Sequence, residues 1–80
     1  MEKEQRFIQS KAELGERLKN MRYKANIPQT EMAKMLGISQ GHYSDYETGL
    51  AEPNILTLIK IAGILDCDIN SLITKNKIQY

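Results

Sequence analysis

The sequence predicts an all-α fold of five short helices, and three observations carry that expectation. Apolar residues recur at helical rather than strand spacing, with no sustained period-2 alternation. Glycine, proline and small polar residues stand where helix starts and stops are needed. The gaps between the helical patterns are two to five residues, which suits adjacent packed helices.

The first helix is expected from about Lys11 to Ala25. Ser10 and Glu13 form a capping-box pair, and Leu14, Leu18, Met21 and Ala25 then repeat on one face. A backward extension through Phe7 and Ile8 is also open. Asn26 is a left-handed stop. Pro28 opens a second helix, because its fixed φ and missing N–H cost nothing there. That helix places Met32, Ala33 and Leu36 on one side and ends at Gly37. Ser39 caps a third helix that runs to about Thr48 and is closed by Gly49. Asn54 caps a fourth, Ile55 to Leu65, with Ile55, Leu58, Ala62 and Leu65 facing inward. Asp68 caps a short fifth helix holding Ile69, Leu72 and Ile73. The resulting organisation is an N-terminal arm or helix extension over 1–10, one domain over 11–74, and a frayed tail over 75–80.

Composition narrows the function classes. Eighty residues make one domain, which hides only about 60% of its unfolded surface, so a second copy would help its marginal core. The lone cysteine, Cys67, permits no internal disulfide, no apolar run nears about 18 residues, and the N-terminus lacks a signal-peptide core. A cytoplasmic protein without a membrane role is the expectation. Net charge is +1, but residues 1–36 hold eight Lys or Arg against five acids while residues 37–80 hold three against five. A basic first half fits either a phosphate-facing surface or a solvated helix face.

Catalysis and metal binding find little support. His42, Ser44 and Asp45 crowd one helical turn, where neighbours point away from each other and cannot relay a proton. His42 and Asp45 give two potential metal ligands, and Cys67 lies on another segment. No cofactor and no small-molecule ligand are expected.

The segment from Gln29 to Thr48 carries the functional inference. Two helices crossing steeply over a three-residue turn need a small contact residue, which fits Ala33, and a residue at positive φ, which fits Gly37. Ile38 and Tyr43 then fill the gap between them. Together these make a helix-turn-helix unit. If Tyr43 and Tyr46 point inward, Gln40, Gly41, Ser44, Asp45 and Thr48 share the opposite stripe of the third helix.

From Leu14 to Ile73, the chain resembles the DNA-binding domain of phage repressors of the Cro and lambda-repressor type, the Xre-like helix-turn-helix family. The residues carrying the resemblance are LGERLKNMR, IPQTEMAKMLGISQ, YETG before EPN, and LIKIAGILDCDINSLI. The resemblance implies a third helix lying in the DNA major groove and a structural ion pair between Arg22 and Glu47. It also implies base contacts from Gln40, Gly41, Ser44 and Asp45, and phosphate contacts from Gln29 and Thr48. A Gln40 amide can pair bidentately with adenine N6 and N7. Gln29 starts the second helix, where backbone N–H groups also favour an anion.

Some residues depart from the family pattern. Gly41 has no side chain and permits only close backbone approach. Asp45 can accept from cytosine N4, reject wrong sequences, or be solvated. His42 is a phosphate donor or an uninvolved surface imidazole. The third helix carries no Lys or Arg, so affinity must come from Arg17, Lys19, Lys24 and Lys34, with Lys3 and Arg6 if the arm folds over the DNA. Leu56, Ile61 and Ile64 make the fourth helix apolar all round, which calls for a further partner surface. The expectation is a transcriptional regulator, a repressor binding double-stranded DNA as a homodimer on a palindromic operator. The alternative is a protein-interaction module, such as an antitoxin or partner-binding subunit.

Overall fold

In a computed structural model that describes residues 7–74, five helices follow in order: α1 (Lys11–Lys24), α2 (Gln29–Leu36), α3 (Gln40–Thr48), α4 (Ile55–Leu65) and α5 (Ile69–Ile73). The described residues contain one isolated antiparallel bridge, Phe7 with Thr74, and no strand. Ile8 N–H donates to Ile73 C=O at 2.7 Å beside it. The backward extension of α1 is therefore corrected: Phe7 and Ile8 are extended backbone paired to the end of α5.

Local chemistry sets the helix ends. Ser10 Oγ accepts from Glu13 N–H at 3.1 Å, and Glu13 Oε1 accepts from Gln9 N–H at 2.8 Å. The reciprocal half of the capping box thus lands one residue before the cap. Asn26 adopts φ 59° just past α1, and Gly37 (φ 75°) and Gly49 (φ 84°) close α2 and α3. Ser39 and Asn54 accept from His42 N–H and Thr57 N–H, while Pro28 leaves α2 without a side-chain cap. α4 ends on Asp66 at φ 58°, a non-glycine left-handed cap. Asp68 is corrected as a capping side chain: only its backbone carbonyl is engaged, by Ser71 N–H at 2.9 Å.

The core is one cluster from all five helices: Leu18, Met32, Ala33, Leu36, Tyr43, Tyr46, Leu58, Ile61, Ala62 and Leu72. α1 lies closest to α3, and Gly15 is what permits it. A Cβ on Gly15 would stand 2.6 Å from Tyr46 O and nearer still to Glu47 O. In α4 the inward stripe is Leu58, Ile61 and Ala62, with Leu65 half-buried. Ile55, expected inward, is exposed because it begins the helix beyond the edge of the packed layer. No helix of the described residues is long and apolar enough to cross a membrane.

Candidate nucleic-acid interface

The turn between α2 and α3 is tight because Gly37 turns left-handed and Ile38 N–H bonds back to Ala33 C=O at 3.0 Å. Ala33 is buried where the two helices meet. α3 then presents two faces of opposite character. Tyr43 and Tyr46 are inside, packed edge to face with centroids 6.0 Å apart. On the other side Gln40, Gly41, His42 and Thr48 are exposed, and Ser44 and Asp45 are half-buried. A Cβ on Gly41 would meet nothing within 4 Å, so no contact inside the chain requires glycine there.

A chain of hydrogen bonds links the interior to that outer face. Arg22 Nε donates to Glu47 Oε2 at 2.6 Å and Nη2 to Oε1 at 3.0 Å, a bidentate pair joining α1 to α3. Its Nη1 donates to Ile27 C=O at 2.9 Å, fixing the α1–α2 connection as well. Gln29 Nε2 donates to Glu47 Oε1 at 2.9 Å, and Gln40 Nε2 donates to Gln29 Oε1 at 3.3 Å. An ionised carboxylate only accepts, so Glu47 compels Gln29 to face it with its NH₂. The Gln29 carbonyl is thereby left to receive Gln40. What remains on Gln40 is one N–H and its own carbonyl, the donor and acceptor that adenine N7 and N6 require.

Charge tuning is consistent with that chain. Burial by itself would raise the Glu47 pKa, but the Arg22 guanidinium, with the Tyr43 hydroxyl and the Gln29 amide beside it, outweighs it and holds the carboxyl below its usual range. Arg22 is held more firmly protonated, chiefly through its hydrogen bond to Glu47. Burial, with the Glu47 carboxylate nearby, pushes the Tyr43 hydroxyl well above the ordinary phenol range. That hydroxyl makes no hydrogen bond among the described residues. His42 Nε2 lies 3.3 Å from the Tyr46 hydroxyl, which steadies the imidazole along the outer edge of α3.

The basic residues divide. A shallow cleft beside the start of α2 is lined by Lys19, Arg22, Tyr23, Pro28, Gln29, Glu47 and Thr48. It brings together three residues singled out for phosphate contact, Lys19, Gln29 and Thr48. Arg17 instead turns to α5, where Nη1 donates to Ser71 C=O, because its position on α1 faces that helix and not α2. Lys34 and Lys24 are exposed on α2 and at the end of α1, outside the cleft. Lys3 and Arg6 lie outside the described residues. Sequence reasoning missed Tyr23 as a wall of the cleft. Its signal was adjacency to Arg22, whose guanidinium lies over the ring at 4.8 Å.

A short helix carried across another by a small alanine and a left-handed glycine, with its polar side outward, defines a helix-turn-helix protein. The helix-turn-helix family model matches residues 18–72, and the chain belongs to that family, in its Cro and lambda-repressor-like (Xre-like) form. Its family and relatives are regulators rather than enzymes.

Two relatives and one structure show the neighbourhood. The chain is 39% identical over 66 residues to a prophage-derived, uncharacterised helix-turn-helix transcriptional regulator, YonR, of Bacillus subtilis, covering 82% of this chain and 61% of that one. It is 42% identical over 59 residues to the 10 kDa protein of the ImmF control region of Bacillus phage phi105, covering 74% and 66%. The chain thus spans about two thirds or less of these relatives' length. The P22 c2 repressor, solved in complex with a synthetic operator, superposes with a TM-score of 0.68 at 32% identity, covering 81% of this chain and 94% of that one.

Proposed function

We propose that this chain is the DNA-binding part of a transcriptional regulator, a repressor that reads duplex DNA by sequence with α3 in the major groove. The observation that carries the reading is the Glu47–Gln29–Gln40 chain, which aims a neutral amide outward with an adenine-compatible donor and acceptor still available. Gly41, Ser44 and Asp45 complete the base-facing stripe. Gln29, Thr48 and Lys19 around the cleft, with His42 and Lys34 beyond it, supply the phosphate contacts. Arg22 and Glu47 act as a structural pair and read no base. The relatives' descriptions as regulators, and the operator-bound P22 c2 repressor, support the same reading.

With α3 carrying no cation, few phosphates are neutralised, and each contributes a salt slope of about −0.9 in log K against log salt. One copy therefore binds weakly. Two copies on a palindrome with half-sites about 10 bp apart recover the affinity. Selection of bound duplexes from a random pool tests this reading directly. A palindromic consensus whose binding weakens with salt is the expected result. Failure to enrich any duplex, with capture of a co-expressed protein instead, would overturn it in favour of a partner-binding role.

A further inference from the structure

His42 is the only histidine of the chain and stands outside the core. It is exposed in the first turn of α3, one turn before Tyr46, whose ring is buried. Helical side chains lean back toward the N-terminus, so Tyr46 reaches over His42. The Tyr46 hydroxyl lies 3.3 Å from His42 Nε2, with ring centroids 5.2 Å apart and planes tilted by 54°. Among the described residues that nitrogen is the hydroxyl's one partner, whereas the hydroxyl of the neighbouring Tyr43 has none. His42 Nδ1 makes no hydrogen bond among the described residues.

The heavy atoms leave the shared proton to be placed by chemistry. A neutral imidazole has one N–H and one bare nitrogen, and its hydrogen-bond partners decide which is which. A phenol O–H is a strong donor, while its oxygen, conjugated with the ring, accepts poorly. A bare imidazole nitrogen accepts well. The Tyr46 hydroxyl therefore donates to Nε2, and the imidazole proton is driven onto Nδ1, against the preference of a free histidine.

We infer that Tyr46 is a positioning residue: its hydroxyl holds His42 in the Nδ1–H form, and that N–H donates to a phosphate oxygen of the bound duplex. His42 flanks the stripe of Gln40, Gly41, Ser44, Asp45 and Thr48 instead of lying within it, so it meets the strand bordering the groove and not a base edge. A neutral donor displaces no counterion, so this contact adds affinity without adding salt dependence. The phosphate half of the inference rests on the DNA reading above, and the tautomer half stands without it.

The test begins on the free chain at about pH 8, where an ordinary imidazole is neutral. Nitrogen-15 NMR of the uniformly labelled chain has a single imidazole to observe. The bare nitrogen should be the one coupled to both ring C–H protons, which is Nε2. In Tyr46→Phe, which keeps the buried ring, bare character should move toward Nδ1. On the selected duplex, His42→Ala should weaken binding about tenfold, on matched and mismatched sites alike, with the salt slope unchanged. An Asn amide stands where Nδ1 stood and a Gln amide where Nε2 stood. His42→Asn should therefore restore most of the binding and His42→Gln should not, while Tyr46→Phe should lose part of it.

A bare nitrogen at Nδ1 in the unaltered chain would overturn the inference, even with duplex binding intact. So would a His42→Ala variant that binds every duplex as before, or a His42→Gln variant that binds as well as His42→Asn. A chain with Nε2 bare that binds no duplex would sink the DNA reading and the phosphate contact together, leaving Tyr46 as the group that fixes the tautomer.

Discussion

α3 and α4 follow one another in the chain and invert each other's composition. α3, QGHYSDYET, is mostly polar, yet it buries Tyr43, Tyr46 and the charged Glu47. α4, ILTLIKIAGIL, is almost wholly apolar, yet it leaves Ile55, Leu56 and Ile59 in solvent. Two aromatic rings and one pre-partnered carboxylate suffice to seat α3, because Arg22 satisfies the charge that burial would otherwise penalise. For α4 the limit is geometric. A helix of three turns shows only one side to its neighbours, whatever its other sides are made of. Polar content therefore marks the exposed side of α3, Glu47 apart, but not that of α4, where the position of a neighbouring helix decides.

The sharpest break in this contrast should come at the buried charge. Arg22→Ala or Glu47→Ala leaves the other ion unpaired in the interior and should cost about 3–5 kcal/mol, read from urea unfolding followed by circular dichroism. Next, Gly15→Ala drives a methyl group into the carbonyls of Tyr46 and Glu47, and forced overpacking of this kind costs about 1–3 kcal/mol.

On the outer side of α3, Gln40→Ala should remove about 1–3 kcal/mol of discrimination at one base position, measured across selected duplex variants. Lys19→Ala should instead weaken all duplexes alike and flatten the salt slope by about 0.9. Acid sharpens the same comparison. The Glu47 carboxyl titrates lower when folded than when unfolded, so its stabilisation is full above the ordinary glutamate value of about 4.3 and is lost as pH falls through the depressed one. Melting temperatures between neutral pH and about pH 3 should fall less steeply in Glu47→Gln, which has nothing to titrate. The smallest effect belongs to α4: Ile59→Lys on its exposed side should change folding stability by no more than about 0.5 kcal/mol.

Much of this architecture was legible in the sequence because helix punctuation is local chemistry. Ser10, Ser39 and Asn54 cap as their side chains allow, and Asn26, Gly37 and Gly49 turn left-handed where the chain must stop. The division of α3 into an inward tyrosine side and an outward amide side followed from helical spacing. What escaped were effects between distant segments. Gly15 is a helix glycine like any other until Tyr46 and Glu47 lie against it. Arg17 and Lys19 look equivalent in sequence, and only the position of α5 sends one to Ser71 while the other borders the cleft. The Gln29 amide was legible as a contact but not as the link between Glu47 and Gln40, since that role needs α2 and α3 packed together.

The Phe7–Thr74 bridge brings residues far apart in sequence to one corner. A short peptide joining residue 7 to residue 74 would close residues 7–74 into a ring, shrinking the freedom of the unfolded chain and favouring the folded one. New ends could then be opened at Glu52, an exposed residue of the α3–α4 connection, turning a linear polypeptide into a rearranged one that keeps all five helices.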